Sequence, residues 1–278
     1  MLLCADYWRS SEDNTTSESS AVLVCVGCDD GSLHLYDVAA STPVHVWPHA
    51  HRLPFAHDSD CQLWSAMFLD RSTIASGADD CCLKLWDTRQ RASPTPAQQN
   101  TRTHRAGVTL VSRPDDNDGR QLATVNNEHL LFTGSYDGQL RLFDVRRLTD
   151  AVTACDLGGG VWSVDYTDAK PLPDKSTNKK DEHPAENSTT TMKLLASCMQ
   201  SGCAIVDYET GTRRFGGVSW QKRPSDDQGS LVYASAWLPL ASDRTMMMTA
   251  GRSADIFVYA DFHSRQLRLS SEAAALRG

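Results

Sequence analysis

Histidine and aspartate, the usual partners in general acid–base chemistry, occur in two pairs along this chain. His57 precedes Asp80, and His104 precedes Asp137, with apolar segments between the members of each pair. No enzyme motif accompanies them, because the sequence contains no GxSxG elbow, no HExxH sequence and no Walker loop. A buried His–Asp pair is also a common structural feature, so the elements that position these residues decide between the two interpretations.

Nine cysteines are the other chemically reactive residues in the sequence. Cys25 and Cys28 form a CxxC sequence, but no second pair follows at the spacing of a zinc site. Both lie at the end of an apolar segment, where cysteine packs as a small hydrophobic residue, and Cys81 and Cys82 are interpreted in the same way. We therefore expect no metal site. An odd number of cysteines without a secretory signal also predicts no disulfide framework.

The composition is that of a folded, acidic protein. The chain has 278 residues, and its 27 Lys+Arg against 35 Asp+Glu give a formal net charge of 27 − 35 = −8. This charge disfavours broad binding to nucleic acid or to an anionic membrane. No apolar run approaches the ~18 residues of a membrane span, and the start, MLLCAD, lacks the basic region of a signal peptide. We expect a soluble protein of the cytoplasm, with the nucleus as a second compartment and no nucleic-acid or membrane partner.

An internal repeat organises the chain. In five segments an apolar stretch ends at a small residue, a short polar turn follows, and apolar residues then alternate with polar ones. The segments are 27–37, 77–87, 134–144, 198–207 and 251–261. Their spacings are 77 − 27 = 50, 134 − 77 = 57, 198 − 134 = 64 and 251 − 198 = 53. Each segment predicts a strand, a tight turn and a second strand.

A further apolar segment precedes each repeat and predicts another strand of the same sheet. These segments are Leu2–Trp8, Gln62–Leu69, Gly107–Ser112, Val161–Tyr166 and Leu231–Leu238. The repeats resemble WD40 repeats, which end a strand with Trp-Asp, as at Trp86-Asp87 and, with another aromatic residue, at Phe143-Asp144. The resemblance implies an all-β fold, a WD40 β-propeller with four strands in each blade and five blades recognisable in this chain.

Polar insertions explain why the spacings exceed the usual ~40–45 residues of a blade. The segments 9–20, 90–103, 113–119 and 221–229 predict loops, and the longest insertion, about 168–192, predicts a disordered segment. The propeller is expected to extend over residues 1–270, with 271–278 as a tail. WD40 rings more often have seven blades. The chain is therefore interpreted either as a five-bladed ring or as part of a seven-bladed ring without its N-terminal blades.

The WD40 resemblance gives the two His–Asp pairs a structural interpretation. In WD40 blades a histidine, an aspartate in the turn between two strands and an aromatic residue of the following strand are joined by hydrogen bonds and packing. Asp80, Trp86, His104 and Asp137 match these positions, with His57 as the histidine beside Asp80 and Trp86. Such a network supplies the hydrogen-bond partners that buried polar groups require.

Several segments resemble one family more closely. The sequences GGVWSV at 159–164, CMQSG at 198–202 and SLVY at 230–233 are similar to those of the diphthine methyltransferase family, whose members act as diphthine methylesterases. The stretch from His57 through Trp64-Ser65-Ala66 to WDTR at 86–89 completes the set. The resemblance covers roughly residues 50–260.

This resemblance implies hydrolysis of a methyl ester on translation elongation factor 2. Diphthamide is a modified histidine of that factor, and one intermediate of its assembly carries both a trimethylammonium group and a carboxyl methyl ester. Hydrolysis of the ester gives diphthine for the final amidation. The reaction consumes only water, so no cofactor is expected. The implied partners are translation elongation factor 2 as the protein substrate and other proteins of the kind that bind WD40 domains.

The implied chemistry selects candidate site residues. Ester hydrolysis needs an activated nucleophile or water, and a quaternary ammonium favours aromatic faces. The candidate catalytic residues are Cys198, Ser201 and His57. The candidate substrate-binding residues are Trp64, Trp162 and Tyr233, at or near the starts of predicted strands, and Asp79 as a source of negative charge. Core packing is the alternative role for the three aromatic residues.

A non-catalytic WD40 scaffold is the competing function. The sequence Trp86-Asp87-Thr88-Arg89 resembles the WDxR box of substrate receptors in cullin-RING ubiquitin ligases, and a partial second copy ends at Arg146. A receptor would co-purify with the ligase adaptor, and Arg89→Ala would abolish that association without affecting ester hydrolysis. A structural paralogue that has lost catalysis is the third interpretation.

Overall fold

The computed structural model describes eleven ranges of the chain. These are residues 1–9, 22–40, 42–53, 61–90, 93–113, 129–166, 170–171, 190–222, 231–238, 256–261 and 266–271. Twenty strands occur in these ranges and form five sheets. The described residues include no helix of the length and apolar character that crossing a membrane requires.

The first two sheets each contain four strands in chain order. The first sheet consists of β1 (Leu2–Arg9), β2 (Val22–Cys28), β3 (Leu33–Asp37) and β4 (His45–Trp47). The second sheet consists of β5 (Leu63–Asp70), β6 (Thr73–Ala78), β7 (Leu83–Asp87) and β8 (Gln98–Asn100). Neighbouring strands pair antiparallel throughout both sheets.

The remaining three sheets repeat this arrangement with small changes. The third consists of β9 (Val108–Ser112), β10 (Leu130–Ser135), β11 (Gln139–Asp144) and β12 (Thr153–Asp156). The fourth consists of β13 (Ser163–Tyr166), β14 (Lys170–Pro171), β15 (Thr190–Ser197), β16 (Cys203–Glu209) and β17 (Arg214–Lys222), with the short β14 paired beside β15. The fifth consists of β18 (Val232–Leu238), β19 (Ile256–Asp261) and β20 (Gln266–Ser271).

The chain divides into two compact units. The first holds β1 to β10 and most of β11, and the second holds the start of β11 and β12 to β20. Each unit is described separately below.

The turn between the second and third strands has the same backbone conformation in four sheets. Gly31, Gly138 and Gly202 have φ values of 77°, 81° and 79°, in the left-handed region that glycine adopts without steric cost. Cys81 occupies the equivalent place in the second sheet with a φ of 62°, which is uncommon for a residue with a side chain. The turn therefore imposes on Cys81 a positive φ that a residue with a side chain normally avoids.

Both faces of the second sheet are buried in the first unit. Alternate residues of β5 point to opposite sides, so Phe68 packs with residues of the first sheet and Met67 packs with residues of the third. The cluster toward the first sheet includes Leu33, Leu35, Trp47, Leu63, Ile74 and Trp86. The cluster toward the third includes Leu83, Leu85, Val108, Leu131, Phe143 and Leu148. Burial of apolar surface on both faces holds consecutive sheets together.

Hydrogen bonds also join neighbouring sheets within each unit, between first strands in the first unit and between β18 and the turn after β15 in the second. In the first unit the amide of Phe68 on β5 donates to the Asp6 carboxylate of β1 at 2.8 Å, and the amide of Val111 on β9 donates to the Ser65 hydroxyl of β5 at 3.0 Å. In the second unit Val232 exchanges two backbone hydrogen bonds of 3.0 Å with Met199. These contacts fix how adjacent sheets meet within each unit.

The structure confirms the strand–turn–strand segments 27–37, 77–87, 134–144 and 198–207, and the strands that precede the five repeats, to within two residues at their starts. Of the fifth segment it describes the strand Ile256–Asp261, and residues 251–255 lie outside the described ranges. The predicted loop 90–103 is wrong at 98–100, because Gln98–Asn100 forms β8. Three polar residues give no apolar pattern, and only pairing with β7 makes them a strand. The predicted disordered segment is wrong at both ends, where 170–171 and 190–192 lie in strands. Residues 172–189 lie outside the described ranges.

Candidate functional site

Trp64 and Asp79 are joined directly in the first unit. Trp64 lies near the start of β5, and Asp79 follows the last residue of β6. The indole Nε1 of Trp64 donates a hydrogen bond of 2.6 Å to Asp79 Oδ1. The ring of Tyr136, in the turn after β10, meets the Trp64 ring edge to face with 6.3 Å between centroids. We call these three residues the Trp64 cluster, and all three side chains are partly buried.

Gly107 packs closely against this cluster. A Cβ atom on Gly107 would lie 2.7 Å from Asp79 Oδ1 and 3.1 Å from the Tyr136 ring. Any side chain at this position would therefore press on both groups. The close approach of the Asp79 carboxylate and the Tyr136 ring to this backbone position therefore requires a glycine before β9.

Trp162 and Tyr233 form the corresponding aromatic pair of the second unit. Their rings meet edge to face with 5.0 Å between centroids. A chain of serine hydroxyls accompanies them: Ser163 Oγ donates to Ser197 Oγ at 2.9 Å, and Ser197 Oγ lies 2.8 Å from Ser235 Oγ. The four predicted substrate-binding residues thus form two groups, one in each unit.

Cys198 is buried among apolar residues, with none of its surface exposed. Burial raises the pKa of the thiol to about 12, with neighbouring cysteines adding to the effect. A thiol attacks an ester only as the thiolate, and a cysteine nucleophile needs surroundings that lower its pKa. The surroundings of Cys198 are those of a core residue, and they do not support the predicted catalytic role.

Ser201 serves the turn between β15 and β16. Its hydroxyl donates a hydrogen bond of 2.7 Å to the carbonyl oxygen of Gly158, and 5% of the residue is exposed. A Cβ atom on Gly159 would lie 2.8 Å from the same hydroxyl. An activated serine needs a base at its hydroxyl, but here the proton goes to a backbone carbonyl. The contact gives Ser201 a structural role, and the predicted catalytic role has no support from it.

The third catalytic candidate, His57, lies outside the described residues. Its assignment to the network of Asp80 and Trp86 is wrong, because His51 occupies that place. His51 Nδ1 lies 2.8 Å from Asp80, and His51 Nε2 lies 2.7 Å from Ser76 Oγ. Trp86 Nε1 donates to the same Ser76 hydroxyl at 2.8 Å. The path of the loop before β5 brings His51 to the turn, and the sequence does not reveal which upstream histidine arrives there.

The hydrogen bonds assign the charges of this network. Because the Asp80 carboxylate can only accept, His51 Nδ1–H donates to it, and Nε2 of the neutral imidazole accepts from the Ser76 hydroxyl, which in turn accepts from Trp86. Burial lowers the pKa of His51, which keeps the imidazole neutral. Burial opposes ionisation of Asp80, but the hydrogen bond from His51 and the ammonium of Lys84 at 2.9 Å outweigh it and lower its pKa. This network is structural, because it fastens the segment before β5 to β6, to β7 and to the turn between them.

The third sheet repeats the network with different partners. His104 Nε2 lies 2.9 Å from the Thr133 hydroxyl, and its ring packs against Phe143 with 5.6 Å between centroids. The predicted hydrogen bond between His104 and Asp137 is wrong: both Asp137 oxygens accept from Arg141 at 2.9 Å, and His104 Nδ1 makes no hydrogen bond to described residues. The two-pronged guanidinium occupies the carboxylate edge. Burial and the charge of Arg141 lower the pKa of His104 to about 4.

Sequence reasoning missed the partners that complete these networks. They are His51, Ser76, Lys84, Tyr136, Thr133 and Arg141. The repeat offset is a signal that finds two of these pairs, since 133 − 76 = 57 and 141 − 84 = 57 match the spacing of the second and third repeats. Tyr136 stands at the same offset from Asp79, since 136 − 79 = 57, so one repeat supplies an acid where the next supplies an aromatic ring.

The described residues contain no group of three or more His, Cys, Asp or Glu side chains that could hold a metal ion. No disulfide joins the nine cysteines, all of which lie in the described ranges, and Cys25 and Cys28 are buried as predicted for packing residues.

Comparison with known families identifies the repeats. The family model described as "WD domain, G-beta repeat" matches residues 51–87 and 98–144, which contain the second and third sheets up to β11. A chain in the crystal structure of the mitotic checkpoint complex superimposes with a TM-score of 0.54 at 19% sequence identity, covering 89% of this chain and 58% of that one. These similarities and the five sheets confirm the predicted fold class, a WD40 β-propeller.

Comparison with curated proteins confirms the closer resemblance. A diphthine methyltransferase of Mus musculus is 26% identical over 211 residues, covering 74% of this chain and 36% of that protein. A diphthine methyltransferase homolog of Dictyostelium discoideum is 25% identical over 236 residues, covering 80% of this chain and 53% of that protein. The chain thus spans about a third to a half of the length of these relatives.

Proposed function

We propose that this chain of WD40 repeats, a relative of proteins named diphthine methyltransferase, acts in diphthamide biosynthesis as a methyl ester hydrolase. The proposed substrate is the methylated diphthine intermediate on translation elongation factor 2, and the proposed compartment is the cytoplasm. One observation carries the proposal: similarity to proteins of that name extends over 73% to 80% of the chain in animals, an amoeba and a yeast.

The proposed reaction balances with water alone. Water adds to the ester carbonyl, the bond to the methoxy oxygen breaks, methanol leaves, and the carboxylate of diphthine remains. Such a reaction needs a group that takes a proton from water and donors that face the developing oxyanion. His57 stays a prediction for the first role. Attack by water fits the structure better than attack by Cys198 or Ser201. Burial keeps the Cys198 thiol protonated, and the Ser201 hydroxyl donates its hydrogen bond to a backbone carbonyl.

The Trp64 cluster supports the choice of substrate. The methylated intermediate carries a trimethylammonium group close to the ester. Aromatic rings beside a carboxylate suit such a cation, because the ring faces and the carboxylate are both electron-rich. The cluster would orient the substrate while the ester reacts elsewhere.

Mass spectrometry tests the reaction. The diphthamide-bearing peptide of elongation factor 2, in its methyl ester form, is incubated with the purified full chain without added cofactor. Loss of one CH₂ equivalent and release of methanol are expected. The relatives' name denotes methyl transfer, so a parallel reaction contains the free acid and S-adenosylmethionine. Gain of a methyl group there, with no loss from the ester, would overturn the hydrolase proposal.

The competing scaffold function depends on Arg89. The side chain of Arg89 is 75% exposed, and its guanidinium donates two hydrogen bonds of 2.9 Å to Asp87. Arg146 and Asp144 make the same pair at the end of β11. Because the arrangement recurs where a third strand ends, it is a local feature of these repeats and does not single out a ligase-binding surface. Co-purification of a cullin-RING adaptor that Arg89→Ala abolishes would favour the scaffold.

A further inference from the structure

Serine or threonine is followed by proline at three places in the sequence: Thr42-Pro43, Ser93-Pro94 and Thr95-Pro96. All three lie in the first unit, in two loops that occupy the same place in neighbouring sheets. The first place is in the loop from β3 to β4, and the other two are in the loop from β7 to β8. A hydroxyl followed by proline is the sequence that proline-directed protein kinases modify. Both loops therefore qualify by sequence as acceptor sites.

The two loops reach the outermost strand of their sheet in the same way. The strand begins three residues after each threonine, and the amide just after the proline donates a hydrogen bond of 2.8 Å to the third strand. These bonds run from Val44 to Leu35 and from Ala97 to Leu85. β4 and β8 contain three residues each and lie at the edge of their sheets. A loop that ends in so short an edge strand can open locally, as binding in a kinase cleft requires, without disturbing the core.

Exposure separates the threonines from the serine. Thr42 and Thr95 are exposed, and Ser93 is partly buried. Ser93 lines a cleft of about 220 Å³ that it shares with β4 and the residues after it, including Trp47 and His49. The Ser93 hydroxyl lies 3.0 Å from the Thr95 hydroxyl and accepts a hydrogen bond from the Thr95 amide at 3.4 Å. Because a kinase reaches its acceptor from solution, the structure selects the two threonines and disfavours Ser93.

Proline favours the threonine before it as an acceptor. Its nitrogen carries no hydrogen, so the peptide group after the acceptor brings no N–H that a kinase cleft would have to satisfy. Its ring also disfavours helical φ and ψ angles in the preceding residue, which suits an acceptor that binds as an extended chain. The third sheet provides a contrast, because Thr149 in the loop from β11 to β12 is exposed but is followed by Asp150. Thr149 therefore shares the exposure and lacks the proline.

We propose that Thr42 and Thr95 are phosphate acceptors for a proline-directed protein kinase that uses ATP. Threonine Oγ1 forms a bond to the γ-phosphorus, the bond from this phosphorus to the oxygen bridging the β- and γ-phosphates breaks, and ADP leaves. The hydroxyl proton passes to the aspartate base of the kinase. This modification is independent of the proposed ester hydrolysis, since neither threonine belongs to the Trp64 cluster.

The two phosphates would change the charge at one end of the first two sheets. In the second sheet Asp79 follows β6, whereas Thr95 lies in the loop that follows β7. Because β6 and β7 pair antiparallel, these two positions lie at opposite ends of the sheet. Each phosphate adds a charge of about −1.5 to −2 at pH 7 and three strong acceptor oxygens. Phosphorylation therefore acts on the end of the sheet away from the Trp64 cluster.

Mass spectrometry of the full chain tests the proposal. The purified protein is incubated with ATP and a proline-directed kinase of the mitogen-activated type, and fragmentation of the phosphopeptides distinguishes Ser93 from Thr95. We expect phosphate on Thr42 and Thr95, with Ser93 and Thr149 unmodified. Absence of phosphate from either Thr42 or Thr95, while the kinase modifies a standard peptide, would overturn the proposal. Phosphate on Ser93 in place of Thr95, or as much phosphate on Thr149, would overturn it as well.

Pro96→Ala tests the role of the proline. It retains the acceptor hydroxyl of Thr95 and removes the ring that follows. We expect the rate of phosphorylation at Thr95 to fall at least about 10-fold, while Thr42 in the same molecule keeps its rate and serves as the internal reference. Pro43→Ala should give the reciprocal result. An unchanged rate at Thr95 in Pro96→Ala would mean that the kinase does not recognise this sequence, and the assignment would be wrong.

Pro94→Ala is the matched control, because it removes a proline of the same loop that does not follow a proposed acceptor. Thr95 should keep its rate of phosphorylation in this variant. An equal loss in Pro94→Ala and Pro96→Ala would contradict the role given to the residue after the acceptor. Circular dichroism and thermal unfolding verify that each variant is folded, and the comparison of the hydroxyls within the unsubstituted chain needs no variant.

Discussion

The imidazole Nδ1 of His51 lies 2.8 Å from the Asp80 carboxylate, so the segment before β5 is fastened to the turn between β6 and β7. Neither side chain is exposed by more than 3%. The same carboxylate accepts from Lys84 and from the amide of Arg52. One aspartate thus joins three parts of the second sheet, and its removal would leave buried groups without partners.

We expect Asp80→Asn to destabilise the protein by about 3 kcal/mol, since it leaves His51 and Lys84 beside a neutral amide. Urea unfolding at neutral pH, followed by tryptophan fluorescence, measures the change. The exposed control Asp150→Asn should stay within about 0.5 kcal/mol of the unsubstituted protein. A loss in Asp80→Asn no larger than in this control would contradict the structural role.

Stability should fall as the solution becomes mildly acidic. The pKa of His104 is about 4 in the folded protein, because of burial and the charge of Arg141, against 6.5 in the unfolded chain. Between these values the unfolded state binds more protons, so stability rises with pH and is lost as the pH drops from 6.5 toward 4. This residue alone accounts for about 3 kcal/mol over the whole interval.

His104→Gln isolates this contribution, since it removes the titrating group and keeps a polar side chain near Thr133. Urea midpoints at pH 7 and pH 5 should differ less in the variant than in the unsubstituted protein. His51 contributes a loss of the same sign, because burial lowers its pKa too. An identical pH dependence in the variant would show that His104 is already solvated in the folded state.

At the left-handed turn positions, replacing glycine by alanine should lower the stability of the protein, and introducing glycine should not. Gly31→Ala should destabilise by about 3 kcal/mol or more, because the new Cβ would meet the carbonyl oxygens of His51 and Cys61 in addition to the strained φ. Gly138→Ala should cost about 1 kcal/mol, since nothing lies within 3.4 Å of its Cβ position and only the backbone strain remains.

Cys81→Gly makes the reverse change at a φ of 62°. Relief of strain and the greater freedom of the unfolded chain oppose each other, so we expect a change between zero and about 1 kcal/mol in favour of folding. Thermal unfolding of Gly31→Ala, Gly138→Ala and Cys81→Gly in parallel gives the order of their stabilities. Destabilisation by Cys81→Gly would mean that contacts of the thiol outweigh the backbone strain.

Thiol chemistry tests the surroundings of Cys198. A fully buried thiol with a pKa of about 12 should not react with iodoacetamide at pH 8 in the folded protein, and should react once urea unfolds it. Cys198→Ala should retain ester hydrolysis within a few-fold if water is the nucleophile. Loss of activity in a folded Cys198→Ala protein would restore this residue as the nucleophile.

Much of the fold was predictable because it is local. The alternation of apolar and polar residues in β3, β7 and β11, and the turn before each, follow from side-chain direction along a strand and from the φ that each turn needs. The outer strands were less predictable. β8 consists of Gln98, Gln99 and Asn100, and these polar residues become a strand through hydrogen bonds to β7.

The candidate site was predictable in residue type and less so in partnership. Trp64 and Asp79 were both predicted, and the structure adds that they are hydrogen-bonded to each other and that the Trp64 ring contacts Tyr136. Trp162 and Tyr233 were predicted as well, and they form a pair of their own. Cys198 and Ser201 were chosen for reactivity, which depends on burial and on neighbouring bases that a linear pattern does not contain.

The sequence by itself determined the repeats, the positions of the turns and the WD40 fold, because strand periodicity and turn chemistry act between residues that are close along the chain. Tertiary structure alone decided that His51 joins Asp80, that Arg141 takes the carboxylate edge of Asp137, and that Asp79 accepts a hydrogen bond from the Trp64 indole. These partnerships join residues from different strands and loops. They depend on the register of the strands and the path of the loops, which are fixed only when the sheets pack.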